Sequence, residues 1–136
     1  KILATRTNIP LSAGESELTA QGCRGLVEDQ AIQILQFDCT MSGGFTAGRK
    51  LAALCELNHI KVAPHHDCYL HAPLVASTPA GLILESFPDP ERDPLQAELF
   101  ENPHQMADGF LTLNEAPGLG LTLSEKAVRK FGERIL

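Results

Sequence analysis

The chain has 136 residues, a net charge of −6 and 43% hydrophobic residues, enough apolar material for the core of one domain. The acidic balance argues against nucleic acid or an anionic membrane as a partner. No apolar run approaches the roughly 20 residues of a membrane span, and the first residues show no secretory signal pattern. We therefore expect a cytoplasmic protein that binds neither nucleic acid nor membrane.

The first predicted strand covers residues 9–13 and is followed by Gly14 and Glu15. Residues 18–29 then fit a helix that is weakened by two internal glycines. The next apolar run, residues 32–37, is too short for a helix, and it predicts a strand buried on both faces.

The second strand ends at Asp38, and a Ser-Gly-Gly turn at residues 42–44 follows it. We predict a helix with Thr46 as its N-cap, because apolar residues then recur at helical spacing as far as Asn58. A third short apolar strand, residues 60–63, comes after this helix. The stretch therefore predicts a strand–helix–strand unit.

The third strand is followed by Pro64 and His65. A short helix is predicted at residues 71–78, and a fourth strand at residues 82–84 ends at Glu85. Alternating strands and helices of this kind are typical of a parallel α/β fold.

The last part of the chain has a different pattern, which opens with a charged, turn-rich segment. Beyond it we predict a helical turn at residues 95–100, a strand at residues 109–113 and a final helix that starts near Ser124. We therefore divide the chain into residues 1–88 and residues 89–136.

Each of the four predicted strands ends at a polar side chain: Glu15, Asp38, His65 and Glu85. Their spacing suits the units of a (β/α)8 barrel, although it is shorter than the roughly 31 residues of an average unit. Because parallel strands end at the same edge of a sheet, we expect the four side chains around one mouth. Three carboxylates and a histidine suit metal-assisted proton transfer, since Mg²⁺ prefers oxygen ligands and histidine exchanges protons near neutral pH.

The order of these motifs resembles the enolase superfamily, and within it the mandelate racemase and muconate lactonizing enzyme subgroup. The motifs that carry the resemblance are Gly14-Glu15, Gln36-Phe37-Asp38, Gly43-Gly44-Phe45-Thr46 with Arg49-Lys50, Ala63-Pro64-His65, Leu84-Glu85, Ala107-Asp108-Gly109 and Ala116-Pro117-Gly118-Leu119-Gly120. The resemblance implies an α/β fold. Residues 1–88 would form strands five to eight of a TIM-like (β/α)-barrel. Residues 89–136 would form the C-terminal segment that packs on a capping domain absent from this chain.

The resemblance also implies Mg²⁺-dependent abstraction of the α-proton of a hydroxycarboxylate, through an enediolate. Glu15 would bind the metal, Asp38 and His65 would be the acid/base dyad, and Glu85 would hydrogen-bond the substrate carboxylate. Three residues in the loop after His65 are predicted to line the substrate pocket: His66, Cys68 and Tyr69.

Within this family we favour dehydration of an acid sugar, and we expect the full-length enzyme to be a homo-oligomer. A racemase, epimerase or cycloisomerase would use the same residues and is the first alternative. The family's lysine motif and two other metal ligands cannot be mapped on this chain, so we expect the 136 residues alone to be inactive. A barrel fragment that serves only as a structural or interaction domain is the alternative of another class.

Two further patterns have simpler interpretations. The histidines and cysteine of residues 65–71 show neither CxxC nor HExxH spacing, so we expect no zinc site there. The segment at residues 43–50 resembles a phosphate-binding loop, but an arginine stands where the lysine belongs, and we interpret it as a turn before a helix. All four cysteines are expected to be reduced thiols in the core or near the site: Cys23, Cys39, Cys55 and Cys68.

Overall fold

Three short parallel strands form the sheet at the centre of the first of two structural units. The computed structural model describes residues 1–135, and it divides the chain into Lys1–Glu85 and Ser86–Leu136. Strands β1 (Ser12–Ala13), β2 (Ile34–Leu35) and β3 (Lys61–Val62) pair in the order β1-β2-β3, both pairs parallel. The sheet therefore brings the ends of these three strands to one edge, as the sequence predicts.

Residues 82–84, predicted as the fourth strand, form no ladder in the described chain. A single parallel bridge joins Val62 to Gly81, and the Leu82 N–H donates to the Val62 carbonyl at 2.9 Å. The contact of this segment with β3 is thus limited to the start of a fourth strand. That contact is enough to place the next residues beside β3.

Four helices belong to the first unit, together with a 3₁₀ turn at Leu3–Thr5. The helices are α1 (Ala20–Glu28), α2 (Cys39–Ser42), α3 (Gly44–Leu57) and α4 (Cys68–Ala76). Helix α1 is confirmed nearly as predicted, with Thr19 as its N-cap. The core packs α1 and α3 against the sheet and includes Cys23, Val27, Leu35, Phe37, Leu51, Cys55 and Val62.

Thr46 is not the N-cap of α3, and that prediction was wrong. The helix begins two residues earlier, at Gly44, because Gly43 adopts a left-handed φ of 110° that ends α2 and starts α3. Helix α4 also begins before the predicted position, at Cys68. Pro73 lies in the interior of this helix, where proline is unusual because it donates no backbone hydrogen bond.

The second unit contains helices α5 (Pro94–Glu98) and α6 (Glu125–Phe131) and an antiparallel hairpin. Strands β4 (Gln105–Ala107) and β5 (Phe110–Thr112) form this hairpin, and its Asp-Gly turn has positive φ at both residues. Strand β4 was not predicted, although Asp-Gly is the usual signal of such a turn. The N-cap of α6 is Ser124, as expected.

Within residues 1–135, no helix combines the length and the apolar character that crossing a membrane requires.

Gly48 allows α3 to lie close to the sheet and to α4. A Cβ at this position would lie 2.5 Å from Cys39 Sγ and 3.1 Å from Leu74 Cδ2. We therefore expect Gly48→Ala to lower the free energy of unfolding of the full-length protein by about 1–3 kcal/mol. Urea unfolding followed by circular dichroism measures this.

Gly25→Ala is the matched control, because a Cβ at this exposed position in α1 meets nothing within 4 Å. Alanine is the better helix former, so this variant is expected to gain about 0.5–1 kcal/mol. Equal effects of the two substitutions would contradict the close packing assigned to Gly48.

Candidate active site

His65 lies among three carboxylates at the carboxyl edge of the sheet. Its Nε2 is 3.8 Å from Glu15 Oε2 and 3.9 Å from Glu85 Oε2, and its Nδ1 is 3.7 Å from Asp38 Oδ2. The side chain is 31% exposed, but Nδ1 is buried and makes no hydrogen bond in the described chain. The structure thus brings together all four strand-end residues that the sequence analysis selected.

Backbone hydrogen bonds carry the strand pairing as far as this cluster. The His65 N–H donates to the Phe37 carbonyl at 3.1 Å, and the Gln36 N–H donates to the Ala13 carbonyl at 2.9 Å. The residues that precede Asp38 are therefore fixed to both neighbouring strands, which sets the positions from which the candidate side chains start.

Asp38 is held by the first turn of helix α2, of which it is the N-cap. Its Oδ1 accepts hydrogen bonds from the Thr40 N–H at 2.8 Å and from the Thr40 hydroxyl at 2.7 Å. The other oxygen, Oδ2, faces His65. Because capping fixes one oxygen, the buried carboxylate has a single orientation toward the imidazole.

Glu15 follows a glycine that the close approach of two strands requires. Gly14 has a φ of 139°, and a Cβ there would lie 3.0 Å from the backbone of Gln36 and of Phe37. This contact lets the chain leave β1 directly beside the end of β2. The Glu15 side chain is 53% exposed, so its carboxylate stays open to a ligand from solvent.

Glu85 is oriented by the backbone of the loop after β3. Its Oε2 accepts a hydrogen bond from the His66 N–H at 2.9 Å, and the side chain is 33% exposed. The same oxygen is the one nearest to His65. The backbone of His66 therefore holds Glu85 next to His65.

The three predicted substrate-binding residues lie in different environments. His66 is 31% exposed in its side chain, and its backbone N–H contacts the cluster. Cys68 is 1% exposed at the start of α4, so its thiol lies in the interior. Tyr69 is half-buried, and this burial is the main reason that the pKa of its hydroxyl is raised, with a smaller effect from the nearby Cys68. Their contact with a substrate stays a prediction.

His71 is a site residue that the sequence analysis did not select. It is fully buried in α4, and its Nε2 lies 3.6 Å from Asp38 Oδ1. The available signal was a single histidine within an otherwise apolar helical segment, where a buried polar ring needs hydrogen-bond partners.

The side chains at this edge could supply one Mg²⁺ ligand, but not a complete metal site. Glu15 offers a half-exposed carboxylate, which is the oxygen donor that a hard cation prefers. Across residues 1–135, no group of three histidine, cysteine, aspartate or glutamate side chains is arranged to hold a metal ion. Further ligands would have to come from outside this set.

Cys39 and Cys55 are buried, and neither forms a disulfide. Burial, together with the charge of Asp38 and nearby Cys23, raises the pKa of Cys39 to about 12. Burial, followed by Cys23, raises the pKa of Cys55 to about 12. Because the thiolate is the nucleophilic form, these two residues act as packing groups.

A parallel α/β sheet with acidic and histidine side chains at its carboxyl edge is the arrangement used by barrel enzymes. The sequence model of the enolase C-terminal domain-like family matches residues 1–127, and the chain belongs to that family. The resemblance drawn from the order of the motifs is thereby confirmed.

Two curated relatives are sugar acid dehydratases by name. A D-galactonate dehydratase family member from Streptomyces bingchenggensis is 31% identical over 129 residues, covering 92% of this chain and 31% of the relative. The D-xylonate dehydratase of Haloferax volcanii is 32% identical over 133 residues, covering 94% of this chain and 32% of the relative. The chain therefore spans about a third of the length of these relatives.

Solved structures confirm the fold. A mandelate racemase/muconate lactonizing enzyme from a marine actinobacterium, in complex with magnesium, superposes with a TM-score of 0.85 at 34% identity, over 94% of this chain and 36% of that one. An L-talarate dehydratase from Polaromonas sp., complexed with Mg and L-glucarate, gives 0.82 at 31% identity, over 94% and 34%. The chain is thus a C-terminal portion of the enolase superfamily fold.

The raised pKa values of Cys39 and Cys55 predict that their thiols resist alkylation in the folded protein. At pH 8 a thiol of pKa about 12 holds roughly a thousandfold less thiolate than one of pKa 9. The folded protein is treated with iodoacetamide, and alkylation is measured by peptide mass spectrometry. We expect the peptides with Cys39 and Cys55 to stay unmodified until urea unfolds the protein. Fast labelling of Cys39 in the folded protein would contradict its role as a packing group.

Proposed function

We propose that this chain supplies the acid/base half of the active site of a Mg²⁺-dependent acid sugar dehydratase of the enolase superfamily. The observation that carries the proposal is the position of His65, whose ring nitrogens lie within 3.9 Å of three strand-end carboxylates. The names of the relatives, which include galactonate, mannonate and xylonate dehydratases, support the substrate class.

His65 is the proposed general base, which removes the proton from the carbon next to the substrate carboxylate. Its Nε2 is the more outward of the two ring nitrogens in this role, because Nδ1 is buried and faces Asp38 Oδ2. A carboxylate at Nδ1 fixes the tautomer that leaves Nε2 free to accept a proton, and it stabilises the imidazolium formed afterwards.

Glu85 is the proposed partner of the substrate carboxylate as it becomes an enediolate. The hydrogen bond from the His66 N–H holds Oε2 in place. A carboxyl group placed there donates a hydrogen bond to the developing negative charge if it carries a proton. His66, Cys68 and Tyr69 stay the proposed residues of the surrounding substrate pocket.

Glu15 is the proposed Mg²⁺ ligand of this chain, with the remaining ligands expected from the part of the protein outside it. Bound Mg²⁺ supplies Lewis-acid stabilisation of the charge that develops on the substrate carboxylate. The Glu15 side chain is half exposed, so its carboxylate is accessible to a metal ion from solvent.

The first alternative is racemisation, epimerisation or cycloisomerisation, each of which also begins with removal of an α-proton. Racemisation needs a base on both faces of the α-carbon, and His65 occupies one face only. The second base would come from outside this chain. The names of the curated relatives favour dehydration.

The decisive experiment screens the full-length protein against an acid sugar library with Mg²⁺ in deuterated water. We expect dehydration of at least one member, and His65→Asn should lower that rate by at least about 100-fold and prevent deuterium incorporation at the α-carbon. The exposed His59, changed to asparagine, is the control and should retain full activity. Unchanged exchange in His65→Asn would remove the role proposed for this residue.

The proposed metal ligand is tested by Mg²⁺-dependent thermal stabilisation of the full-length protein, which requires no substrate. A ligand that binds only the folded state raises the melting temperature, so Glu15→Gln should reduce the shift seen at millimolar Mg²⁺. Glu56→Gln, on the exposed surface of α3, should keep the wild-type shift. An undiminished shift in Glu15→Gln would show that the metal binds elsewhere.

A further inference from the structure

His71 joins the two chain segments that carry the proposed dyad. Its Nε2 accepts a hydrogen bond from the Cys39 N–H at 3.0 Å, directly after Asp38. Its Nδ1 lies 3.0 Å from the carbonyl oxygen of His66, directly after His65. One buried ring therefore spans the ends of β2 and β3 at the level of the functional side chains.

These two contacts define the tautomer of His71. The Cys39 N–H can only donate, so Nε2 must be an acceptor without a proton. The His66 carbonyl can only accept, so Nδ1 must carry the proton. The ring is therefore neutral, with both nitrogens satisfied, although it is 0% exposed and lies beside the Asp38 carboxylate.

The segment that His71 holds has an unusual backbone conformation. His66 and Asp67 both have positive φ, 52° and 37°, in two consecutive residues that are not glycine. Such conformations are disfavoured and persist where surrounding contacts enforce them, most often at functional sites. Here the Asp67 carbonyl accepts the N–H groups of Leu70 and His71, and the His71 ring fixes the carbonyl of His66.

The same turn orients a second functional carboxylate. The two peptide groups that flank His66 have separate partners: the carbonyl of His66 faces His71, and its N–H donates to Glu85 Oε2 at 2.9 Å. The hydrogen bonds thus run from Cys39 through His71 and His66 to Glu85. They connect the surroundings of Asp38, His65 and Glu85 in one network.

We propose that His71 is a positioning residue: as the neutral Nδ1–H tautomer it ties the segment after Asp38 to the segment after His65, and so sets the geometry of His65 among its carboxylates. This role rests on the proposed function. It is separate from the dyad itself, because His71 is fully buried and does not meet a substrate.

The tautomer is tested without substrate, by long-range proton–nitrogen NMR of the full-length protein labelled at histidine nitrogens. The His71 signals, assigned by their loss in His71→Gln, should show a protonated Nδ1 and an unprotonated Nε2. A proton on Nε2, either alone or in an imidazolium paired with Asp38, would overturn the proposal.

The positioning role is tested by kinetics on an acid sugar that the wild type dehydrates. His71→Leu removes both hydrogen bonds, and we expect kcat to fall about 10- to 100-fold with little change in KM, since displacement of a catalytic group by about 1 Å has effects of this size. His71→Gln keeps one donor and one acceptor on a single amide, and it should recover most of kcat.

Leu74→Ala is the control for a purely structural effect, because Leu74 is buried in the same helix and lies outside the hydrogen-bond network. It should lower the melting temperature while kcat stays near the wild-type value. Wild-type kcat in a folded His71→Leu, or a fall in kcat in Leu74→Ala equal to that in His71→Leu, would overturn the positioning role. An inactive wild type would instead contradict the proposed function, and the NMR result would still decide the tautomer.

Discussion

The parallel pairing of three two-residue strands is the constraint on which the site depends. Hydrogen bonds continue past the strands, so that the His65 N–H reaches the Phe37 carbonyl and the Gln36 N–H reaches that of Ala13. Because the pairing is parallel, three strand ends arrive at one edge with their candidate site residues adjacent. Residues far apart in sequence thereby form one cluster, and the strands need only be long enough to fix this register.

Orientation within the cluster comes from the backbone beyond the strands. The first turn of α2 fixes one oxygen of Asp38 through Thr40, and the turn before α4 directs the His66 N–H to Glu85. Asp38 keeps its other oxygen, Oδ2, for His65, and Glu85 keeps free lone pairs for His65 or for a ligand. Side chains held by backbone groups lose little freedom when a substrate binds, which is how a preorganised site lowers a barrier.

The sequence allowed the strand ends to be predicted because short apolar runs and charged residues alternate regularly through the first unit. It did not reveal helix α2, since a four-residue helix is too short to show a periodic pattern. The start of α3 was also placed too late, at Thr46, because the left-handed conformation of Gly43 cannot be read from a hydrophobic pattern. Residues 82–84 look like a strand locally, but strand pairing needs a partner that a local pattern does not contain. His71 was missed for a similar reason, because its two hydrogen-bond partners lie on separate segments.

No hydrogen bond within the described chain joins the ring of His65 to the three carboxylates around it. At 3.7 to 3.9 Å from three carboxylate oxygens, its ring nitrogens lie beyond hydrogen-bond length, and the buried Nδ1 has no partner in the described chain. A buried polar atom without a partner is rare and calls for a functional explanation. A shift of less than about 1 Å toward Asp38 would complete that hydrogen bond, and catalytic hydrogen bonds often tighten in this way when substrate binds. The His65 ring can make this shift because no hydrogen bond within residues 1–135 fixes it, whereas backbone groups hold the neighbouring Asp38 and Glu85.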